Sequence, residues 1–318
     1  MPDVTLSVLS YNVLFGPVDG EILRSNRRSI EIVNSIMELY NKLPQKIDVI
    51  CFQEFWDSIC EDYGFKTFGK FSRLNSLGNY YRDLFLNRLE KIGFKYKVIL
   101  GRQRGKLKGS GLLIVSRYPI IATNKYYFKL LTGEVVSIDS FASKGFLLAK
   151  IKKGNFVFNI INTHYQAWVK YYKPRIKSSI KMSKFIKQCI KNLNQPVIIC
   201  GDLNEDRIHL SKRVNLLYKI LNVNVPIREK NSPIYSYNKN NEFVGLDGSN
   251  YQFSQAIDYI LYSKSHKQPI SATTRIIELQ SSRKYLANIS RYNRKILYTK
   301  QLSDHYPILC TFKFNLKK

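Results

Sequence analysis

No apolar run in this sequence approaches the ~20 residues that a membrane-crossing helix needs, which excludes a helical membrane protein. The first residues, Met1-Pro2-Asp3-Val4, lack a basic stretch followed by an apolar one. The expectation is a chain without a secretory signal, intracellular, in the cytoplasm or peripheral to a membrane. The cysteines, Cys51, Cys60, Cys189, Cys200 and Cys310, include no Cys-x-x-Cys pair. That spacing argues against a cysteine zinc site, and the apolar surroundings of Cys51, Cys200 and Cys310 predict reduced core thiols. Low-complexity linkers and internal repeats are missing as well, so residues 1–318 are expected to form one domain. Acidic residues are scarce: Asp and Glu number 23 against 51 Lys and Arg, a formal net charge of +28. Such an excess favours an anionic partner, nucleic acid or an acidic membrane surface. The chain is also rich in Ile, Asn and Tyr, as an AT-rich genome would make it, so charge alone does not choose the partner.

What is present reads as alternating short strands and helices. Hydrophobic residues make up 44% of the chain, ample for a core. Strands are expected at Thr5–Phe15, Ile47–Gln53, Phe94–Leu100, Gly111–Ser116, Phe146–Ile151, Phe156–Thr163, Val197–Cys200, Ala256–Tyr262, Ala272–Leu279 and Ile308–Phe314. A basic turn, Gly101–Gly109, joins the third to the fourth. Helical spacing occurs over Arg27–Tyr40 (Ile30, Val33, Met37, Tyr40), Tyr80–Ile92 (Leu84, Phe85, Leu89, Ile92), from Pro174 (Ile176, Ile180, Phe185, Cys189) and over His209–Leu221. Hairpins are frequent and strict βαβ alternation is lacking, which predicts a layered α/β domain with mostly antiparallel sheets.

Many of these strands end on residues able to do chemistry: Asn12, Glu54, His164, Asp202 with Asn204, Asp258, and Asp304 with His305. The stretch Pro196–Asn204 is the clearest. Four apolar residues, Val197 to Cys200, suit a strand buried on both faces. Gly201 breaks the run, and an acid and an amide follow two residues apart. Alone, each such ending reads as a turn or a solvated side chain. Together, and in this order, they are much more specific.

In this order the blocks Ser10-Tyr11-Asn12-Val13, Phe52-Gln53-Glu54, Asn162-Thr163-His164, Gly201-Asp202-Leu203-Asn204, Ile257-Asp258-Tyr259-Ile260 and Ser303-Asp304-His305-Tyr306-Pro307 resemble the endonuclease/exonuclease/phosphatase superfamily. The resemblance spans nearly the whole chain. It implies a DNase I-like four-layer α/β sandwich, two sheets flanked by helices, that hydrolyses phosphoric esters with a divalent cation, Mg²⁺ or Mn²⁺. It also implies roles. Glu54 would be the principal metal ligand, with Asn12 in the same shell or supporting it. Asp304 would orient His305, the base for the attacking water. Asp202 and Asn204 would position water or phosphate, and His164 would hydrogen-bond a phosphoryl oxygen. Asp258 would support the site or a second cation.

Three local stretches resemble the sphingomyelinase branch: Thr163-His164-Tyr165-Gln166-Ala167, Asp139–Phe146 with Lys144-Gly145, and the run from Tyr235-Ser236-Tyr237-Asn238 to His266. They implicate Lys144 and Gln166 in substrate binding and a phospholipid at a membrane surface as the partner. Ser143 departs from that branch, where Asp often precedes the Lys-Gly pair. The late segment Ser281–Lys300 is basic and tyrosine-containing, fit to dock on an acidic membrane by charge or to be a solvated loop. The alternatives are a nuclease of the same fold, favoured by Tyr126-Tyr127 with Lys129 and Tyr171-Tyr172 with Lys173 and Arg175, and a phosphoinositide or inositol-phosphate phosphatase. A non-catalytic binding module is a further alternative, disfavoured because no polar residue of the set is missing.

Overall fold

The computed structural model describes residues 3–15, 25–56, 82–104, 106, 109–128, 142–244, 253–289 and 296–315. Cys60, the start of the Tyr80–Ile92 helix, part of the Gly101–Gly109 turn, Lys129 and residues 139–141 lie outside them. In chain order the strands are β1 (Val4–Phe15), β2 (Val49–Phe55), β3 (Tyr96–Leu100), β4 (Leu112–Ser116), β5 (Ile120–Tyr127), β6 (Gly145–Lys153), β7 (Phe156–His164), β8 (Val197–Asp202), β9 (Val223–Asn224), β10 (Ile227–Arg228), β11 (Asp258–Ser263), β12 (Ser271–Ile276), β13 (Gln280–Ile289), β14 (Ile296–Gln301) and β15 (Ile308–Phe314). The helices are α1 (Ser25–Lys42), α2 (residues 82–91), α3 (Tyr172–Cys189) and α4 (Ser211–Leu221).

Two sheets carry the fold. One runs β10-β12-β15-β1-β2-β4-β3, the other β5-β6-β7-β8-β11-β9. Most neighbouring strands are antiparallel, as the sequence predicts. At the heart of each sheet lies one parallel pair, β1 with β2 and β7 with β8. Each pair is flanked on both sides by antiparallel strands: β15 and β4 in the first sheet, β11 and β6 in the second. The two halves are therefore built alike. The carboxyl ends of the parallel pairs meet at one rim, where β15 and β11 begin.

Period-two alternation sorts each central strand into two cores. Leu6 and Val8 of β1, with Cys310 and Phe312 of the neighbouring β15, face the other sheet, where Ile198 and Cys200 of β8 and Ile160 of β7 complete the same core. Leu9, Tyr11, Val13 and Phe15 face outward onto Ile32, Val33 and Ile36 of α1 and Phe85 and Leu89 of α2. On the far side Val197, Ile199, Tyr259 and Leu261 pack against Met182, Phe185 and Ile186 of α3 and Val214 of α4. The result is helix, sheet, sheet, helix: four layers enclosing three cores. Burial on both faces explains why these strands read as continuous apolar runs. Cys51, Cys200 and Cys310 are free thiols, all buried between the sheets.

Some elements differ from the sequence expectation. The strand β5 has no counterpart in it, because an edge strand exposed over most of its length shows no apolar alternation. The segment Ser281–Lys300 is not a loop: β13 and β14 pair as an antiparallel ribbon. It leaves the sheet next to Pro307, anchored by Ser281 Oγ donating to Glu31 Oε2 at 2.9 Å and by Ser35 Oγ donating to the Gln280 carbonyl at 3.0 Å. Residues 290–295 of that segment lie outside the described residues. The helix stripes are rotated from those expected. On α1 the structure buries Arg28, Ser29, Ile32, Val33 and Ile36 and leaves Met37 exposed. On α3 it buries Arg175, Ser179, Met182, Phe185 and Ile186 and leaves Ile180 exposed. In both helices buried polar residues occupy core-facing positions, which shifts the apolar period.

Candidate functional site

The rim is assembled on a polar floor between the sheets. Gln53 Nε2 donates to Asn162 Oδ1 at 2.7 Å and to Ser10 Oγ at 3.2 Å. Asn162 Nδ2 returns across the gap to the carbonyls of Phe52 (2.8 Å) and Leu113 (3.1 Å). Both amides are fully buried, so these bonds also fix the register of one sheet on the other.

Above this floor, Asp202 Oδ2 is the hub. His164 Nε2 lies 3.6 Å from it, His305 Nε2 3.9 Å and Asn12 Nδ2 3.4 Å. The other oxygen, Oδ1, accepts the Asn204 backbone N–H at 2.8 Å. Asn204 takes a left-handed conformation, φ 52°, and its Nδ2 donates to the Tyr165 carbonyl at 3.1 Å. The backbone of β8 comes very close to β7 here. A Cβ on Gly201 would sit 1.9 Å from the Thr163 carbonyl oxygen, and φ at Gly201 is 142°. Only glycine permits that approach. From β1, Asn12 Nδ2 also donates to Glu54 Oε1 at 3.0 Å. Glu54 itself is left-handed (φ 56°), and Phe55 N–H next to it donates to the Gly111 carbonyl. A non-glycine residue so placed is strained, and such strain clusters at functional sites.

His305 is held from the second sheet. Its Nδ1 lies 2.7 Å from Asp258 Oδ2, and the Tyr237 ring packs edge-on against it with centroids 5.1 Å apart. Burial alone would lower the His305 pKa, but the carboxylates of Asp258, Asp304 and then Asp202 outweigh it and hold the imidazole well above its ordinary value. Asp202 is pushed up from the usual carboxylate range, first by burial and then by Asp258. Asp304 is raised as well, by burial, against the opposing pull of His305.

The structure brings Asn12, Glu54, His164, Asp202, Asn204, Asp258 and His305 to one rim, and it reassigns some of them. The residue that orients His305 is Asp258, not Asp304. The Asp304 carboxylate lies instead 3.2 Å from Ser303 Oγ, a hydroxyl 2.7 Å from the Asn12 carbonyl. Asn12 is tied to Glu54: its Oδ1 accepts Leu14 N–H at 3.2 Å and its Nδ2 faces the Glu54 and Asp202 carboxylates. Lys144 and Gln166 are buried in the wall behind the site. Lys144 Nζ donates to the Tyr165 carbonyl at 2.7 Å. Arg175 does not face a phosphate backbone. It is fully buried, pairs with Glu205 Oε2 at 2.8 Å, and holds the carbonyls of Gln166 and Trp168. Tyr171 is buried beside it, and Tyr126 stacks on Phe146 at 4.7 Å. The buried Arg175–Glu205 pair and the Gln53–Asn162 stitch are what sequence reasoning missed. Gln53 and Asn162 sat beside Glu54 and His164 in the quoted blocks, and buried polar residues inside apolar strands were the available signal.

A divalent cation fits this donor set. Glu54, Asp202 and Asp258 are three carboxylates at one rim of low solvent access, a charge that calls for compensation. Asp258 Oδ1 is buried with no hydrogen-bond partner. Ligand atoms of Asp202, Asp258 and His305 all lie within 4.8 Å of one another. The oxygen-rich chemistry suits a hard cation.

A family model described as Endonuclease/Exonuclease/phosphatase family matches residues 9–305. The chain belongs to this family. Over 254 residues it is 27% identical to a sphingomyelinase C of Bacillus cereus, an alignment covering 72% of this chain and 73% of that one. It is 31% identical over 210 residues to sphingomyelinase C 2 of Leptospira interrogans, covering 64% of this chain and 31% of the relative. Among solved structures, a mutant of beta toxin from Staphylococcus aureus with bound magnesium ions matches with TM-score 0.77 at 23% identity, over 96% of this chain and 99% of that one. Sphingomyelinase C from Streptomyces griseocarneus matches with TM-score 0.76 at 17% identity, over 99% and 100%. The fold of this endonuclease/exonuclease/phosphatase family member is thus the expected four-layer, DNase I-like sandwich. No helix among the described residues is long and apolar enough to cross a membrane.

Proposed function

We propose that this chain is a divalent-metal-dependent phosphodiesterase of sphingomyelinase type, acting on the head-group ester of a phospholipid with Mg²⁺ as its ion. The observation that carries the reading is the His305 imidazole, tied through Nδ1 to Asp258 and aimed through Nε2 at Asp202. That is the arrangement of a general base with its orienter. Glu54, steadied by Asn12, and the buried oxygen of Asp258 would hold the cation, which supplies positive charge to neutralise the phosphate and acidify water. The protein's own groups do the rest. His305 Nε2 accepts the proton of the attacking water, and the imidazolium so formed is stabilised by Asp258. Asp202 and the Asn204 backbone fix where that water and the phosphate sit. His164 donates to the phosphoryl oxygen on which charge grows. The substrate assignment rests on the sphingomyelinase relatives.

Purified protein with Mg²⁺ is expected to release phosphocholine from sphingomyelin and to stop when EDTA is added. Cleavage of plasmid DNA with sphingomyelin left intact would overturn the substrate in favour of a nuclease. Phosphate release from phosphoinositides alone would favour a phosphatase. Undiminished turnover in EDTA would remove the cation.

A further inference from the structure

The pairing of β1 with β2 slips at the rim. Asn12 lies opposite Gln53 and Phe15 opposite Phe55, so Val13 and Leu14 on one strand face Glu54 alone on the other. This is a β-bulge, uncommon in a parallel pair and of the kind that re-aims a side chain beside a site. Both strands take left-handed backbone here, Leu14 with φ 50° and Glu54 with φ 56°. A bulge takes carbonyls out of the ladder, and a buried carbonyl needs a donor.

That donor comes from the first turn of α1. Arg28 is fully buried. Its Nη1 and Nη2 donate to the Leu14 carbonyl at 3.1 and 2.9 Å, and Nη2 donates to the Val13 carbonyl as well. The guanidinium carbon lies 5.3 Å from the ring centre of Phe15 and 5.2 Å from that of Phe243. The turn that carries Phe243 is itself tied to the rim. Asn241 Oδ1 accepts the Phe243 N–H at 3.0 Å, and Asn241 Nδ2 donates to the Ser303 carbonyl at 2.9 Å. Burying a cation is unfavourable, and a position that only had to pack would take an apolar side chain. A planar fork that serves two carbonyls at once is what arginine offers in its place.

The hydrogen bonds continue from the bulge to the site. Leu14 N–H donates to Asn12 Oδ1 at 3.2 Å. With that oxygen engaged, Asn12 Nδ2 donates to Glu54 Oε1 at 3.0 Å and faces Asp202 Oδ2 at 3.4 Å. An amide turned the other way would set its oxygen against two carboxylates. The direction of the Leu14 N–H therefore decides which end of Asn12 meets Glu54, and Arg28 holds the two carbonyls on either side of the Leu14 backbone.

We propose that Arg28 is a positioning residue for the cation site: by pinning the Val13–Leu14 bulge it sets the Asn12 amide, and through it the Glu54 carboxylate. The proposal rests on the reading above in which Glu54 holds the cation, and it adds a residue on a helix that touches neither ion nor substrate.

The test is Mg²⁺ binding by titration calorimetry, with urea unfolding in EDTA measured alongside. Arg28→Lys keeps the charge and loses the fork. It is expected to raise the Mg²⁺ Kd about tenfold, as loss of a group that orients a metal ligand does. In an Asn12→Ala background the same change should move Kd by less than twofold, because the route through Asn12 is already cut. A purely structural Arg28 would lower the urea midpoint in EDTA and leave the Kd of the folded protein at its wild-type value, which would overturn the proposal. Additive losses in the double variant would overturn it too. Should Arg28→Lys not fold, Phe243→Leu strips one ring from the guanidinium and removes no donor. It should raise Kd about threefold, and an unchanged Kd there sinks the proposal. Wild-type protein that binds no Mg²⁺ ends the metal reading and the proposal with it. Wild-type binding to which Arg28→Lys is indifferent ends the proposal alone.

Discussion

In the proposed mechanism His305 carries the chemistry, and its neighbours set the pH at which it works. A general base must be neutral, so kcat/KM should rise with pH through its pKa. Asp258 and Asp304 hold that pKa above the ordinary histidine value. Asp258→Asn removes a negative charge and leaves Nδ1–H only a neutral, weaker acceptor. The rising limb should therefore move to lower pH while the plateau falls by about 10² to 10⁴. Asp304→Asn should also move the limb to lower pH but leave more of the plateau, since Asp304 makes no hydrogen bond to the ring. An equal fall in both variants would restore Asp304 as orienter. The sequence made the pairing of Asp304 with His305 look natural because they are adjacent in the chain. The two side chains take different partners, Asp304 facing Ser303 and His305 facing Asp258, which comes from β11, far off in sequence. Gly201 is the other residue-scale constraint. With backbone 1.9 Å from the place of a Cβ, Gly201→Ala should lower soluble expression and the midpoint of urea unfolding as well as activity.

At the scale of elements, the strand ends were legible and the helix faces were not. Apolar runs buried on both sides announce β1, β2, β7, β8 and β15, and with them Asn12, Glu54, His164 and Asp202. The faces of α1 and α3 were misread because Arg28, Arg175 and Ser179 sit where the period demands apolar residues. Arg175 belongs there because it binds Glu205 and several loop carbonyls at once, a function no hydrophobic scale registers. Breaking that pair should be costly. Arg175→Met alone should destabilise the fold by about 3 kcal/mol, since it leaves the buried Glu205 only the half-exposed Arg213 at 3.7 Å as a counter-charge. Adding Glu205→Leu should recover much of the loss in the same urea titration. A double variant no more stable than the single would mean that the carbonyl contacts of Arg175, and not its charge pairing, hold the 166–169 turn.

For the whole molecule, the cation should act as a structural ligand as well as a reactant. Mg²⁺ at about a hundred times its dissociation constant should stabilise the fold by about 2.7 kcal/mol, read as a rise in Tm. Glu54→Gln should abolish most of that rise without lowering the Tm of the metal-free protein much. An unchanged Mg²⁺ response would move the ligand role elsewhere on the rim. Overall charge, by contrast, was a poor guide. The excess of Lys and Arg was visible at once, but only the folded chain separates Arg175 in the core from the lysines along α3.

Several of the contacts that make up the rim run from one sheet to the other. Asn12 reaches Asp202, His305 reaches Asp258, and Gln53 reaches Asn162 beneath them. Neither slab holds a working half. A slip of one strand position, about 3.3 Å, would part the base from its carboxylate while leaving both sheets intact. Catalysis is then a gauge of alignment between two separately hydrogen-bonded plates. Substitutions at their facing surfaces, well below the rim, should be able to silence the enzyme before they unfold it.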